Sequence, residues 1–177
     1  TVSLYKRLPR MTYVNTDTAA ATVAIVKAVI TDALPLSQLI NGLSHYYLDD
    51  PKAQLPDWLS DTLTEAVFAA RIADPSYINL VCKFKDEVSG ADAIQGYISI
   101  KDQSHIYHLF VAEDYQGKGV AKQLWNHARA FTQSESFTVR SSLYAVPVYK
   151  QFGFVEAGDV GCKDGVTFMP MKLSIKV

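Results

Sequence analysis

The stretch Leu109-Phe110-Val111-Ala112-Glu113-Asp114-Tyr115-Gln116-Gly117-Lys118-Gly119-Val120-Ala121 decides how this chain is read. An apolar run enters a turn with two glycines. The turn opens directly into a segment in which Val120, Leu124, His127 and Ala128 fall on one side of a helix. A strand that passes into a helix through such a turn presents successive backbone N–H groups at the helix N-terminus. The helix dipole adds to them, so a phosphate or pyrophosphate is favoured there. Gly117 and Gly119 allow the main chain to approach an anion closely, and Lys118 and Lys122 add charge. The alternative is a plain strand-turn-helix whose glycines serve turn geometry. Two other phosphate loops are excluded. GxxxxGK[ST] is absent, and GxGxxG fails because Lys122 follows Ala121.

Working upstream, Ser104–Val111, Ala93–Lys101 and Tyr77–Phe84 have the composition of strands joined by short links, which predicts an antiparallel meander. Before them, Thr62 and Glu65 form a capping box that opens a helix running to about Ala73, stopped by Asp74-Pro75. Asp49–Trp58, with two prolines, reads as a loop. Leu36, Leu39, Ile40, Leu43 and Tyr47 recur at helical spacing behind a Thr31-Asp32 cap, which predicts a helix to about Leu48. Thr22–Val29 is β-branched and reads as a strand. Leu4–Leu8 and Met11–Val14 are short strand candidates within an extension, residues 1–21, set outside the core domain at 22–177.

Downstream, the glycine turn leads into a helix to about Phe131, then a strand at Phe137–Arg140 and a short helix at Ala145–Phe152 that ends on Gly153. Phe154–Val160 and Gly165–Leu173 read as a final hairpin around Lys163-Asp164-Gly165. The resulting order predicts an α+β fold: a mixed, mostly antiparallel central sheet flanked by helices.

The 177 residues suit one domain with its own core. A net charge of −1 without a long basic run argues against a nucleic-acid surface. No apolar run approaches the ~20 residues of a membrane-spanning helix. Thr1–Arg10 carries charges with no apolar segment behind them, so a signal peptide is not expected and a cytoplasmic location is. Cys82 and Cys162 form no CxxC, and neither a metal site nor a redox pair is suggested.

Gln116, Gly119 and Ala121 match the Q/R-x-x-G-x-G/A signature of the GNAT superfamily of N-acetyltransferases, which this chain therefore resembles. Ser141–Phe154 resembles the family's second motif, ending here in Tyr149-Lys150-Gln151-Phe152-Gly153-Phe154, and Gly165–Met171 resembles its closing strand. The match runs over roughly residues 22–173 and agrees with the element order above.

The resemblance implies acetyl-CoA as co-substrate and an amine, on a small molecule or a peptide, as acceptor. Along Leu109-Phe110-Val111, backbone groups of Leu109 and Val111 would pair with the pantetheine arm. Amides from Gly117 through Lys118, Gly119, Val120 and Ala121 to Lys122 would hold the pyrophosphate. Ser142 stands where many members have an Asn that touches the cofactor. Tyr149 falls at the family's general-acid position, and its phenol is protonated at neutral pH. The acidic base of many members has no counterpart, since position 137 is Phe137. His108 is the base candidate, with His105 on the same strand; alternation would place the two on opposite faces. His45, Tyr46, Tyr47 and Trp58 are acceptor-site candidates, because the family's first two helices shape that site. Dimerisation is common in the family. A non-catalytic acyl-CoA-binding or sensor module is the competing function, given the missing acidic base.

Overall fold

The computed structural model of the chain describes residues 11–12, 22–85 and 89–175. In chain order the elements are β1 (Met11–Thr12), β2 (Thr22–Lys27), α1 (Ala33–Leu43), α2 (Asp57–Ser60), α3 (Glu65–Ala73), β3 (Tyr77–Lys85), β4 (Asp92–Lys101) and β5 (His105–Val111). There follow α4 (Val120–Arg129), β6 (Ser136–Ser142), α5 (Val146–Gln151), β7 (Val155–Glu156), β8 (Gly161–Lys163) and β9 (Val166–Ser174). The strands form one sheet in the order β1-β2-β3-β4-β5-β6-β9-β7, with β8 also on β9. Pairing is antiparallel everywhere except between β5 and β6. The mixed, mostly antiparallel sheet agrees with the sequence expectation. Leu4–Leu8 and 13–21 lie outside the described residues, while Met11–Thr12 adds an edge strand to β2.

Alternation along the strands sends side chains to two cores. Leu80, Ile98, Ile100 and Phe137 meet Leu124 and Trp125 of α4 and Tyr149 of α5 on one face. Val81 and Tyr97 meet Leu36 and Ile40 of α1 and Phe68 of α3 on the other. Each large buried side chain contributes roughly 1.5–3 kcal/mol. On β4, a Cβ at Gly96 would come within 2.9 Å of Leu124 and 3.2 Å of Val120, so this glycine lets α4 sit close against the sheet. Cys82 is buried and Cys162 exposed, both as free thiols; burial pushes the Cys82 thiol up to about 12.

Four local expectations are corrected. The first helix ends at Leu43, not Leu48, and Ser44–Tyr47 continues as a 3-10 turn. Ser44 Oγ donates to the Asn41 carbonyl at 2.7 Å, and Leu48 bridges to Val166 of β9. The second major helix is capped by Thr64, whose Oγ1 accepts from the Val67 N–H at 3.4 Å, whereas Thr62 donates to the Leu59 carbonyl at 2.6 Å. The end of the supposed Asp49–Trp58 loop already belongs to α2. The closing hairpin forms between β8 and β9, and β7 pairs separately further along β9.

A fifth correction concerns the histidines of β5. Opposite them the β4 register shifts between Ser99 and Ile100, leaving Tyr107 as an extra residue. Ile106 points to the α4 face. His108 lies against Phe68 and Tyr97 on the α3 face. His105 bonds Thr138 at 2.8 Å, and Thr138 faces away from its α4-side neighbours Phe137 and Val139. The bulge thus places His105 and His108 on the same face.

Candidate active site

β5 and β6 are paired at His105↔Thr138 and Ile106↔Val139, and among the described residues β5 has no strand partner on that side from Tyr107 onward. The sheet therefore opens into a cleft edged by backbone groups. A cavity of about 730 Å³ fills the opening. Its walls include Leu109, Phe110 and Val111 of β5, the turn residues Gln116, Gly117 and Gly119, and Val120, Ala121 and Lys122 of α4. Ser142 and Tyr149 close it from the other side. Ten of the eleven residues expected at the cofactor site line this one space. The eleventh, Lys118, turns its ammonium over the Tyr115 ring at 5.4 Å.

The turn takes left-handed backbone conformations at both glycines. Gly119 begins α4 with φ of 81°, and Gly117 has φ of 71° with nothing within 4 Å of where a Cβ would stand. Both values need glycine. Gln116 folds back over the strand end: its Nε2 donates to the Val111 carbonyl at 3.0 Å, and its Oε1 accepts from Tyr144 Oη at 2.9 Å. Ser142 Oγ accepts from the Ala145 N–H at 3.3 Å, so it also caps the turn into α5. Open backbone along β5, an N-terminal amide cradle and Lys122 fit a cofactor with an extended arm and a phosphate-bearing end.

Tyr149 is buried at the cleft wall, edge-on to Phe154 at 5.5 Å, and burial raises its phenol above the ordinary range. Phe152, also on the wall, stacks on Trp125 at 6.2 Å with an interplanar angle of 12°. His108 does not line the cleft. It is enclosed by Phe68, Tyr97, Tyr107 and Phe110, and its Nδ1 lies 3.3 Å from Tyr47 Oη. Burial, and secondarily Arg71, hold the imidazole well below its ordinary 6.5. The Tyr47 phenol is raised by burial, and Tyr149 is the next influence upon it.

A second cavity, about 410 Å³, adjoins the first. His45, Tyr46, Tyr47 and Asp49 line it, with Leu143 and Tyr144 opposite. Tyr46 and Tyr144 belong to both cavities and stack at 4.2 Å, forming the partition between them. Glu113 holds one side, accepting from Tyr46 Oη at 3.1 Å and facing His45 Nε2 at 3.4 Å. Three of the four acceptor-site candidates thus meet in one place. Trp58 stands apart, donating to Asp164 at 2.8 Å beneath the Lys163 ammonium. Tyr144, Glu113 and Asp49 were not singled out from the sequence. Tyr144 sits within the second motif, but its stacking on a residue 98 positions earlier has no local signal.

Solved structures with this fold include a GCN5-related N-acetyltransferase from Rhodopseudomonas palustris, at 22% identity and TM-score 0.64, over 96% of this chain and 99% of that one. The PaiA N-acetyltransferase from Thermoplasma acidophilum, solved in complex with coenzyme A, is 15% identical with TM-score 0.64, over 86% and 99% of the two chains. A GNAT-family acetyltransferase from Staphylococcus aureus is 11% identical with TM-score 0.66, over 88% and 100%. A comparison with proteins of curated function finds no match. The model of the acetyltransferase (GNAT) domain matches residues 47–175, which contain the open strand, the glycine turn and Tyr149, and on that match the chain belongs to the GNAT acetyltransferase family.

Proposed function

We propose that this acetyltransferase moves the acetyl group of acetyl-CoA to the amine of a small molecule or peptide. The observation that carries the proposal is the junction of two cavities at the Tyr46–Tyr144 partition, with Tyr149 lining the first and Tyr47 the second. When bound, the cofactor supplies an activated thioester. Unpaired backbone of β5 holds its arm, and the amides after Gln116 with Lys122 hold its phosphates.

The second cavity serves the amine. Asp49 is the charged group on its wall beside His45, and no Lys or Arg lines it. Aromatic rings with a carboxylate favour an acceptor that carries positive charge besides the reacting nitrogen. The reacting nitrogen itself must be neutral to attack, because a free alkyl amine is ammonium at neutral pH. Tyr47 Oη, held by His108 Nδ1 at 3.3 Å, orients that nitrogen, and the proton the nitrogen loses leaves to solvent. Tyr149 holds a proton at the cleft wall and gives it to the departing sulfur. Burial keeps that phenol protonated at any working pH.

The test is release of free thiol from acetyl-CoA against a panel of amines. Tyr149→Phe should lower kcat by about 10²-fold and leave cofactor affinity unchanged. Tight cofactor binding with no turnover on any amine, in wild type and variant alike, would favour a non-catalytic acyl-CoA-binding module instead.

A further inference from the structure

Beneath the α3 face of the sheet lie three buried polar atoms without hydrogen-bond partners: Arg71 Nη1, Ser99 Oγ and His108 Nε2. Their residues are 5%, 0% and 5% exposed. They are neighbours. Ser99 and His108 are directly opposed on β4 and β5. The Arg71 guanidinium lies 5.0 Å from the Phe68 ring and 4.8 Å from the Tyr107 ring, and both rings flank His108. Three orphans in one buried place are a site rather than three separate defects.

The Tyr97 phenol lies toward Ser99 and Arg71 as a neutral acceptor beyond close hydrogen-bond distance, and its donor is used elsewhere. Tyr97 Oη donates to Asn79 Oδ1 at 2.6 Å, and Asn79 Nδ2 donates to the Arg71 carbonyl at 3.1 Å. Arg71 Nη2 reaches the Thr62 carbonyl at 3.5 Å, a long contact. Among the described residues the ion pairs are His45–Glu113, Lys83–Asp32 and Lys150–Glu156, so no carboxylate answers the guanidinium. Ring faces offset part of its charge, but a buried cation left without a counter-charge costs several kcal/mol.

Donor count and charge together select the ligand. A phenol is a stronger acid than a neutral imidazole, so Tyr47 O–H donates to His108 Nδ1 and the proton of the ring sits on Nε2. Arg71 Nη1 and His108 Nε2 are then donors, and the Ser99 hydroxyl can donate or accept. A water that accepts from Arg71 and His108 and donates to Ser99 satisfies the hydrogen bonds but brings no charge, whereas an anion accepts all three and also answers the guanidinium. We propose that a small monovalent anion, chloride in kind, binds between Arg71, Ser99 and His108. There it neutralises Arg71 and fixes the His108 tautomer that orients Tyr47. This last consequence rests on the acetyl-transfer mechanism above; the site itself does not.

The test uses bromide as the probe. Crystals of the full chain grown with sodium bromide should show one anomalous peak bounded by these three residues, and Arg71→Met should lose it. In solution, replacing gluconate by chloride at constant ionic strength should raise the wild-type melting temperature by a few degrees and leave Arg71→Met unmoved. Should Arg71→Met fail to fold, Ser99→Ala, which removes one donor and little volume, should weaken the chloride response several-fold. A water in place of the anomalous peak, or a melting temperature indifferent to chloride in wild type, would overturn the proposal. Failure of every amine as acceptor would remove the acetyl-transfer mechanism and leave the anion site standing, because neither readout depends on turnover.

Discussion

His108 was visible in the sequence as a candidate base, but its surroundings were not. Its partners come from Phe68, Arg71, Tyr97 and Tyr47, which are distant in sequence, and the bulge at Tyr107 decides which face it takes. The consequence appears in stability against pH. The folded state holds His108 well below 6.5, while the unfolded chain protonates it near that value. As the pH falls below about 6.5 the unfolded state binds a proton that the native state refuses, so stability declines by up to about 1.4 kcal/mol per pH unit. His105 is lowered too, chiefly by burial and then by Arg140, and acts in the same direction. His108→Gln should therefore show a shallower loss of melting temperature than wild type between neutral and mildly acidic pH, with the His105 part retained. Parallel pH profiles would contradict the buried neutral state. The meeting of the turn glycines and Tyr149 at one cavity was legible because it depends on local backbone and motif spacing; the partners of His108 depend on tertiary packing.

The element that organises the first cavity is the glycine turn with α4 behind it. Gly119 stands at φ of 81° as the residue before the first turn of α4. Gly119→Ala forces a Cβ into that conformation at a cost of about 1 kcal/mol. It also disturbs the amides that face the cleft, so coenzyme A affinity measured by calorimetry should fall by about tenfold, equivalent to about 1.4 kcal/mol. Unchanged affinity would mean that the cradle lies elsewhere. Strands β3 to β6 and helix α4 were legible because their periodicity is strong and their links short. The end of α1 was not. Its apolar spacing runs on to Tyr47, yet the chain tightens to a 3-10 turn where Leu48 must meet β9, a contact 118 residues away. That tightening fans His45, Tyr46 and Tyr47 in different directions, because a 3-10 turn holds three residues. One ring then faces Glu113, one joins the partition and one reaches His108.

Across the whole molecule, the two cavities are built from distant parts of the chain. The domain match begins at Tyr47 and takes in β5, the turn and α5, whereas α1, His45 and Tyr46 precede it. Residues ahead of the matched domain enter both cavities, Leu43 and Tyr46 in the first and His45 and Tyr46 in the second, whose wall Asp49 also joins. Asp49, on that wall and exposed, can be changed without touching the cofactor cavity. An exposed ion pair is worth up to about 1 kcal/mol, so Asp49→Asn should raise KM for a diamine by about fivefold and leave coenzyme A affinity as it was. An equal effect on a monoamine would remove Asp49 from acceptor recognition.

The stack of Phe152 on Trp125 has an optical consequence. Trp125 is 2% exposed and lies one ring behind the wall of the first cavity, while Trp58 is 38% exposed and outside both cavities. The two indoles should emit at different wavelengths, the buried one further to the blue. A ligand that shifts Phe152 should change the blue component and spare the other. With Trp58→Phe removing the second emitter, coenzyme A titrated into the protein should be readable from its own fluorescence, without label or coupled assay.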